Sequence, residues 1–498
     1  MYVGWYLCVP KMSFSTLATI IAVTAHMGLG YALDCCSNLT AALGSKVAYP
    51  GSSLYNETNS YWAAQQTSLS PACVVRPTNA DDVSLALVTL IHDSCMFAVR
   101  GGGHSSTKGV SNIEGGVTID MRGLNSTTLN EDHTLATVGG GQVWGGAYSA
   151  LYQAGVTVPG GRDSGIGVAG SVVGGALGYI APSTGFGCDS VVEFEVVLAN
   201  GSIVSATKDV NNDLWRSLKG GGSNFGILTK LVISTTPIGE IWTSTSAYDI
   251  SAKDGVIQAF YDFVANPDYD PKADLLMNYF YSPSDGFQFA NLYAYAEPTE
   301  KPAAFDSFYS IQGQIGNVSN VTTVPDYSVN QDGTSPAGFQ QITFAISFKN
   351  NLQQLKDVLT VFNDSIPSIE DIAGISWSLT LEPIPTSLAA ASKARGGNNL
   401  GIEVPPEGIV LTVASITFNS ADDFPAVQSA ALKLLDDIIG AAEKNNAQNS
   451  FIDLDHAHRS QNPFKSYGAD NYQFLKTTAD KYDPTGVFQT LMPGGFKL

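Results

Sequence analysis

Residues Phe97-Ala98-Val99-Arg100-Gly101-Gly102-Gly103-His104-Ser105 limit the fold of this chain more tightly than any other stretch. A short apolar segment running into three glycines reads as a buried strand that opens into a loop bare of side chains. Successive backbone N–H groups in such a loop form a concave nest suited to pyrophosphate oxygens, with Arg100 adding charge and Ser105 a hydroxyl. Alone, the motif fits an ordinary glycine-rich turn with a solvent-facing histidine equally well. It is not alone. Glycine clusters recur at Gly139 to Gly141, Gly160-Gly161, Gly174-Gly175 and Gly220 to Gly222, so backbone must approach something closely throughout this region.

The run from Gly160 to Gly178 contains a formal GxGxxG at Gly165, Gly167 and Gly170, which invites a Rossmann nicotinamide site. The context argues against it. That fingerprint follows a clean apolar strand, whereas Gly160 to Ser164 is polar and glycine-rich. The acidic residue at suitable spacing, Asp189, lies in Gly187-Cys188-Asp189 and not at a strand end.

Around these loops, residues 73–236 read as one compact α/β lobe. Thr78 and Asp81 resemble a capping box ahead of Val83, Leu87, Leu90 and Ile91 at helical spacing. Val117 to Met121 reads as a strand, and Asn200-Gly201 as the turn of a hairpin over Phe194 to Ser205. Beyond residue 240 the texture changes. Leu275 to Tyr281 and Phe287 to Tyr295 alternate around Pro283 to Gly286, and Phe424, Val427, Ala431, Leu434 and Ile438 share a helix face. This is an antiparallel sheet covered by helices. Tyr472 to Tyr482 forms a last helix that stops at Asp483-Pro484.

At 498 residues and with 14% charged residues, the chain is long enough for a two-lobed enzyme and apolar enough to pack well. A net charge of −20 excludes nucleic acid and anionic membranes as partners. Met12 to Ala32 has an apolar centre and ends in small residues, so 1–32 reads as a signal peptide; a membrane anchor needs a longer apolar run, ~20 residues. Asn-x-Ser/Thr triplets begin at Asn38, Asn56, Asn125, Asn200, Asn317, Asn320 and Asn363, as in a secreted glycoprotein. Removal of Cys8 leaves Cys35, Cys36, Cys73, Cys95 and Cys188. An odd number leaves one free or paired between chains; Cys35 or Cys36 is expected to join Cys95. The spacings fit no zinc motif, and no metal is expected.

Taken together, four segments resemble the berberine bridge enzyme-like flavin oxidases of the vanillyl-alcohol oxidase-type (PCMH-type) FAD-binding fold, in texture the secreted fungal members. They are Arg100 to Ser105, Gly165 to Gly178, Asp213 to Ile227, and Ser466 through Tyr482-Asp483-Pro484 to Phe488. The resemblance implies an α+β fold: a two-subdomain FAD-binding lobe over 33–240, an antiparallel-sheet substrate lobe over 241–450, and a segment 451–498 returning to the FAD lobe. It implies FAD bonded covalently to His104, with Arg100, Gly101, Gly102, Gly103 and Ser105 on the pyrophosphate. It places Gly165, Gly167, Gly170, Gly174 and Gly175 along the flavin. An oxidase follows, moving a hydride from a small alcohol, sugar or secondary metabolite to the flavin and regenerating with O2 to give H2O2; a monomer is expected because nothing in the sequence suggests a large self-complementary face.

Two departures matter. Where bicovalent members carry a second flavin-linking cysteine, this chain has Asp163 (Arg162 in a shifted register), so one covalent bond is expected. Where relatives carry a tyrosine over the substrate, this chain has Asp453-Leu454-Asp455-His456-Ala457-His458. His456 stands at the tyrosine position and is read either as the proton acceptor, tuned by Asp455 or Asp453, or as a surface residue. Trp377, Tyr279, Phe289 and Tyr293 are read as pocket or as sheet core, with core favoured. A dehydrogenase, an oxidative cyclase and a ligand-binding flavoprotein that has lost catalysis are the competing functions.

Overall fold

The computed structural model describes residues 34–498; the signal-peptide reading and Cys8 lie outside them. Two disulfides pin the start of the described chain. Cys35 bonds Cys95, as expected, and Cys36 bonds Cys73, leaving Cys188 free and buried.

A small four-stranded sheet carries the RGGGHS loop. Its order is Val47–Ala48, Cys73–Val75, Val117–Asp120, Phe97–Arg100, and the last three strands run parallel. Parallel pairing needs a crossover, supplied between Cys73–Val75 and Phe97–Arg100 by helix Ala80–His92. Its cap is shifted by one residue from the sequence reading: the Asn79 side chain accepts from the Asp82 N–H at 2.8 Å, while Asp82 accepts from the Thr78 N–H and hydroxyl. Behind the strands, Asp120 is fully buried between Arg76 at 2.7 Å and Arg122 at 2.8 Å. Burial alone would raise its pKa; the hydrogen bonds and charges of Arg122, Thr58 and Arg76 overcome this and hold it at about 2.

A five-stranded antiparallel sheet completes this lobe, ordered Thr127–Leu129, Leu135–Gly139, Ile227–Ser234, Val191–Val197, Ile203–Thr207. The last two strands are the hairpin read from Asn200-Gly201.

Every strand of the third sheet lies between Ile241 and Phe418. It is seven-stranded and wholly antiparallel, in the order Gln314–Thr322, Ile241–Asp249, Gly286–Tyr295, Ala273–Ser282, Ser376–Ile384, Ile409–Phe418, Gln340–Lys349. Helices Lys253–Val264, Leu352–Ser365 and Phe424–Lys444 cover one face and share a core with it. Chain order and packing part in several places, Val324, Tyr327 and Ile384 among them. Leu388 and Leu400 come from the 241–450 segment, yet join the core of the five-stranded sheet. Residues 451–498 pack there too, through Phe451, Phe464 and Leu475, while Phe488 and Met492 reach the four-stranded sheet. Among the described residues no helix is long and apolar enough to cross a membrane.

Candidate active site

Between the glycine loops and the uncovered face of the seven-stranded sheet lies a cavity of about 1270 Å³. The missing side chains explain how it forms. A Cβ on Gly102 would lie 2.3 Å from the Gly167 nitrogen, and one on Gly167 would lie 2.4 Å from the Gly102 nitrogen. The two loops therefore meet backbone to backbone, and only glycine at both positions permits it.

Gly101, Gly102, Gly103, His104 and Ser105 border the cavity, as do Gly167 and Gly170. Four residues expected on the cofactor do not. The Arg100 guanidinium is buried away from the cavity, donating to the carbonyls of Thr58 and Ser60 and lying 4.0 Å over the Tyr61 ring. It braces the strand end, and its Nε lies against Gly103, 2.9 Å from where a Cβ would stand. Gly165 lies outside the lining, and Gly175 ends helix Val168–Gly174. Gly174 instead makes room for Asp455: a Cβ there would lie 2.0 Å from its Oδ1.

His104 lies in the cavity wall, its ring stacked on Trp62 at 4.2 Å with 15° between planes. Nothing in the sequence marked Trp62. It is brought in from far along the chain by its carbonyl, which accepts from the Gly338 N–H, and by its indole, which donates to the Ser335 carbonyl at 2.9 Å. Burial is the main cause that lowers the His104 pKa, to about 4, with the His456 charge pushing the same way. The imidazole is neutral at physiological pH and keeps a nucleophilic nitrogen.

Strand parity settles the opposite wall. Trp377, Tyr279, Phe289 and Tyr293 are fully buried in the helix-side core, so none lines the cavity. Their strand neighbours do. Ser376, Ser378, Thr380, Asn278 and Ser415 form a hydroxyl- and amide-rich wall around Phe280. Thr380 donates to Asn278 Oδ1 at 2.6 Å and Ser378 to the Ser415 carbonyl at 3.0 Å, which fixes their rotamers.

Loop 160–164 is tied to this wall on both sides of Asp163. Arg162 bridges Asp274 at 3.0 Å and Glu382 at 2.5 Å, and Asp332 accepts from the Ser164 N–H at 2.8 Å and from its hydroxyl at 2.5 Å. Asp163, held between these anchors, borders the cavity, and its carboxylate has no hydrogen-bond or ion-pair partner among the described residues, its carbonyl accepting from the Ile166 N–H. Burial, followed by the neighbouring Asp332, raises its pKa to about 6.

His456 and Asp455 also border the cavity. The His456 partner is Asp453, whose Oδ2 lies 2.5 Å from Nδ1; Asp455 instead accepts from the Ala176 N–H at 3.3 Å. Protein surrounds the imidazole, and its accessible part, 45%, faces the cavity. Burial alone would lower its pKa. The Asp453 hydrogen bond and the charges of Asp453, Asp455 and Glu382 outweigh burial and push it up to about 9. Asp455 moves well above the carboxylate range, mainly through burial and then the Asp453 charge. Asp453 thus holds the His456 imidazole toward its protonated form.

Residues 71–207 match the FAD binding domain family. The chain is 36% identical to the FAD-dependent monooxygenase sdcF of Emericella nidulans, over 93% of this chain and 98% of that protein. It belongs to the FAD-binding oxidoreductases. This flavoenzyme shares its fold with 6-hydroxy-D-nicotine oxidase from Arthrobacter nicotinovorans (TM-score 0.76, 17% identity, 89% and 96% of the two chains). The BBE-like 1 protein of Physcomitrella patens aligns at a TM-score of 0.73 (19% identity, 91% and 97%). Glucooligosaccharide oxidase from Acremonium strictum, a protein with 6-S-cysteinyl, 8α-N1-histidyl FAD, aligns at 0.72 (17% identity, 90% and 97%). The residues present fit FAD. A Cβ on Gly170 would meet nothing within 4 Å, so bare backbone borders open space beside the neutral His104. Gly222, Ser223 and Gly226 line the cavity as well; the glycine triplet at 220–222 was their signal in the sequence.

Proposed function

We propose that the protein is a secreted, monomeric FAD-linked oxidase that carries its flavin on His104 and oxidises a small organic molecule of secondary metabolism with O2, giving H2O2. The observation that carries this reading is a neutral imidazole in the wall of a large inter-lobe cavity, stacked on Trp62 and bordered by glycine backbone. Bound flavin supplies the two-electron acceptor. The protein's part is to hold and deprotonate the substrate. The hydroxyl wall of Ser376, Ser378 and Thr380 orients polar groups. The Asp163 carboxylate, unpartnered and with a pKa raised to about 6, accepts the substrate proton. Two disulfides and the exposure of Asn38, Asn56, Asn125, Asn200, Asn317 and Asn320 support secretion; Asn363 is instead half-buried and bonded to Tyr279.

Acid precipitation of the purified protein tests the linkage. Yellow colour should stay in the wild-type pellet and be absent from that of His104→Ala; a colourless wild-type pellet would refute the bond. Because the curated relative is named a monooxygenase, oxygen bookkeeping tests the oxidase. One H2O2 per product without 18O incorporation from 18O2 is expected, and label in the product would favour oxygen insertion.

A further inference from the structure

With Nδ1 of His456 tied to the Asp453 carboxylate and the ring at the cavity border, its position suits a different use. We propose that the His456–Asp453 pair is the cavity's fixed cation for reducing O2, and that its role lies in regenerating the cofactor and not in deprotonating the substrate. This rests on the oxidase reading above.

The geometry separates His456 from the other cations. Arg162 borders the cavity, but its guanidinium is shared between the Asp274 and Glu382 carboxylates. Arg459 also borders it and is solvent-exposed, where a charge is screened. His456 is anchored through Nδ1 to the nearly inaccessible Asp453, while Nε2 has no hydrogen-bond partner among the described residues. The groups that face it are Asp453, Asp455, Glu382, His104 and Asp163. Its interaction with His104 matters most, because both imidazoles border the one cavity and the His456 charge acts at the proposed point of flavin attachment.

Reduction of O2 begins with transfer of one electron, which creates an anion where none existed. A preorganised positive charge in a partly desolvated site lowers the barrier to that step without reorganising. Overall, two electrons and one proton come from the reduced cofactor. The second proton comes from His456 Nε2, which regains it from solvent, and the product is H2O2. No substrate is needed to observe this half-reaction.

The test reduces the holoenzyme with dithionite, mixes it with aerated buffer and follows the return of flavin absorbance from pH 6 to 10.5. The wild-type rate should be flat at low pH and fall as pH rises through about 9, where His456 loses its charge. His456→Gln should be about 100-fold slower and independent of pH. Asp453→Asn removes the main group that raises the pKa, so the falling limb should move to lower pH. Affinity of the oxidised enzyme for sulfite, an anion that adds to flavins, gives a second readout and should drop about tenfold in His456→Gln at pH 7. Fast, pH-dependent reoxidation of His456→Gln with unchanged sulfite affinity would overturn the inference and leave the oxidase intact. Slow reoxidation of the wild type at every pH would instead overturn the oxidase reading.

Discussion

The two walls of the cavity are built by opposite means. On the cofactor side, Gly102 and Gly167 touch through backbone, and the shape of the wall is set by side chains that are absent. On the substrate side, a rigid antiparallel sheet presents Ser376, Ser378 and Thr380, while Trp377 and Leu379 between them anchor the opposite face. The first wall has no slack, because backbone cannot rotate out of the way. The second separates stability from recognition by alternation: odd residues of the strand hold the core and even ones meet the ligand. A family can then keep its cofactor and change its substrate by exchanging one face of one sheet.

The largest expected effect tests the first wall. Gly102→Ala should yield protein without flavin, read as the ratio of flavin to protein absorbance, because its Cβ would overlap Gly167 backbone. Gly165→Ala belongs to the same motif but has nothing within 4 Å, and it should retain full flavin content; equal loss in both would break the close-packing account. Next, Trp377→Ala should cost about 3–5 kcal/mol by chemical denaturation, since it empties a fully buried site.

Asp120→Asn, behind the first wall, should cost about 2 kcal/mol near neutral pH, following from a carboxyl held at about 2 against an ordinary 3.8. A depressed carboxylate stabilises above its unfolded value, and that contribution is lost as pH falls from about 3.8 toward 2. The variant's stability should therefore lose part of this acid dependence in pH-jump unfolding. The smallest effect tests the second wall. Ser378→Ala removes one hydrogen bond at the cavity face and should change stability by less than about 1 kcal/mol. Once a substrate is found, its KM should shift while flavin content stays constant; loss of flavin in Ser378→Ala would abolish the distinction between the walls.

Much of the fold was legible because its signals are local. Alternation around Pro283 to Gly286, the Asn200-Gly201 turn and the periodic face of Phe424–Lys444 each depend on a few adjacent residues. The cap of helix Ala80–His92 came out one residue away, at Asn79 in place of Thr78, since both side chains can accept from the same first turn. The cavity wall was legible where it consists of glycine and His104. Trp62 was not, because only pairing with residues 335–338 carries it to His104. The sequence also could not show that Arg100 donates to the buried carbonyls of Thr58 and Ser60, since those come from a separate turn of the chain.

The sequence by itself determined the cofactor class and the loops that border the cavity, because bare backbone and a histidine at a strand end are properties of consecutive residues. The tertiary structure decided what the charged residues do. Whether His456 takes a proton or already holds one depends on Asp453, Asp455 and Glu382 gathering around it. Glu382 comes from a strand more than 70 residues earlier. Which face of that strand meets the ligand was equally undecided, since alternation reads the same from either side until helices cover one of them.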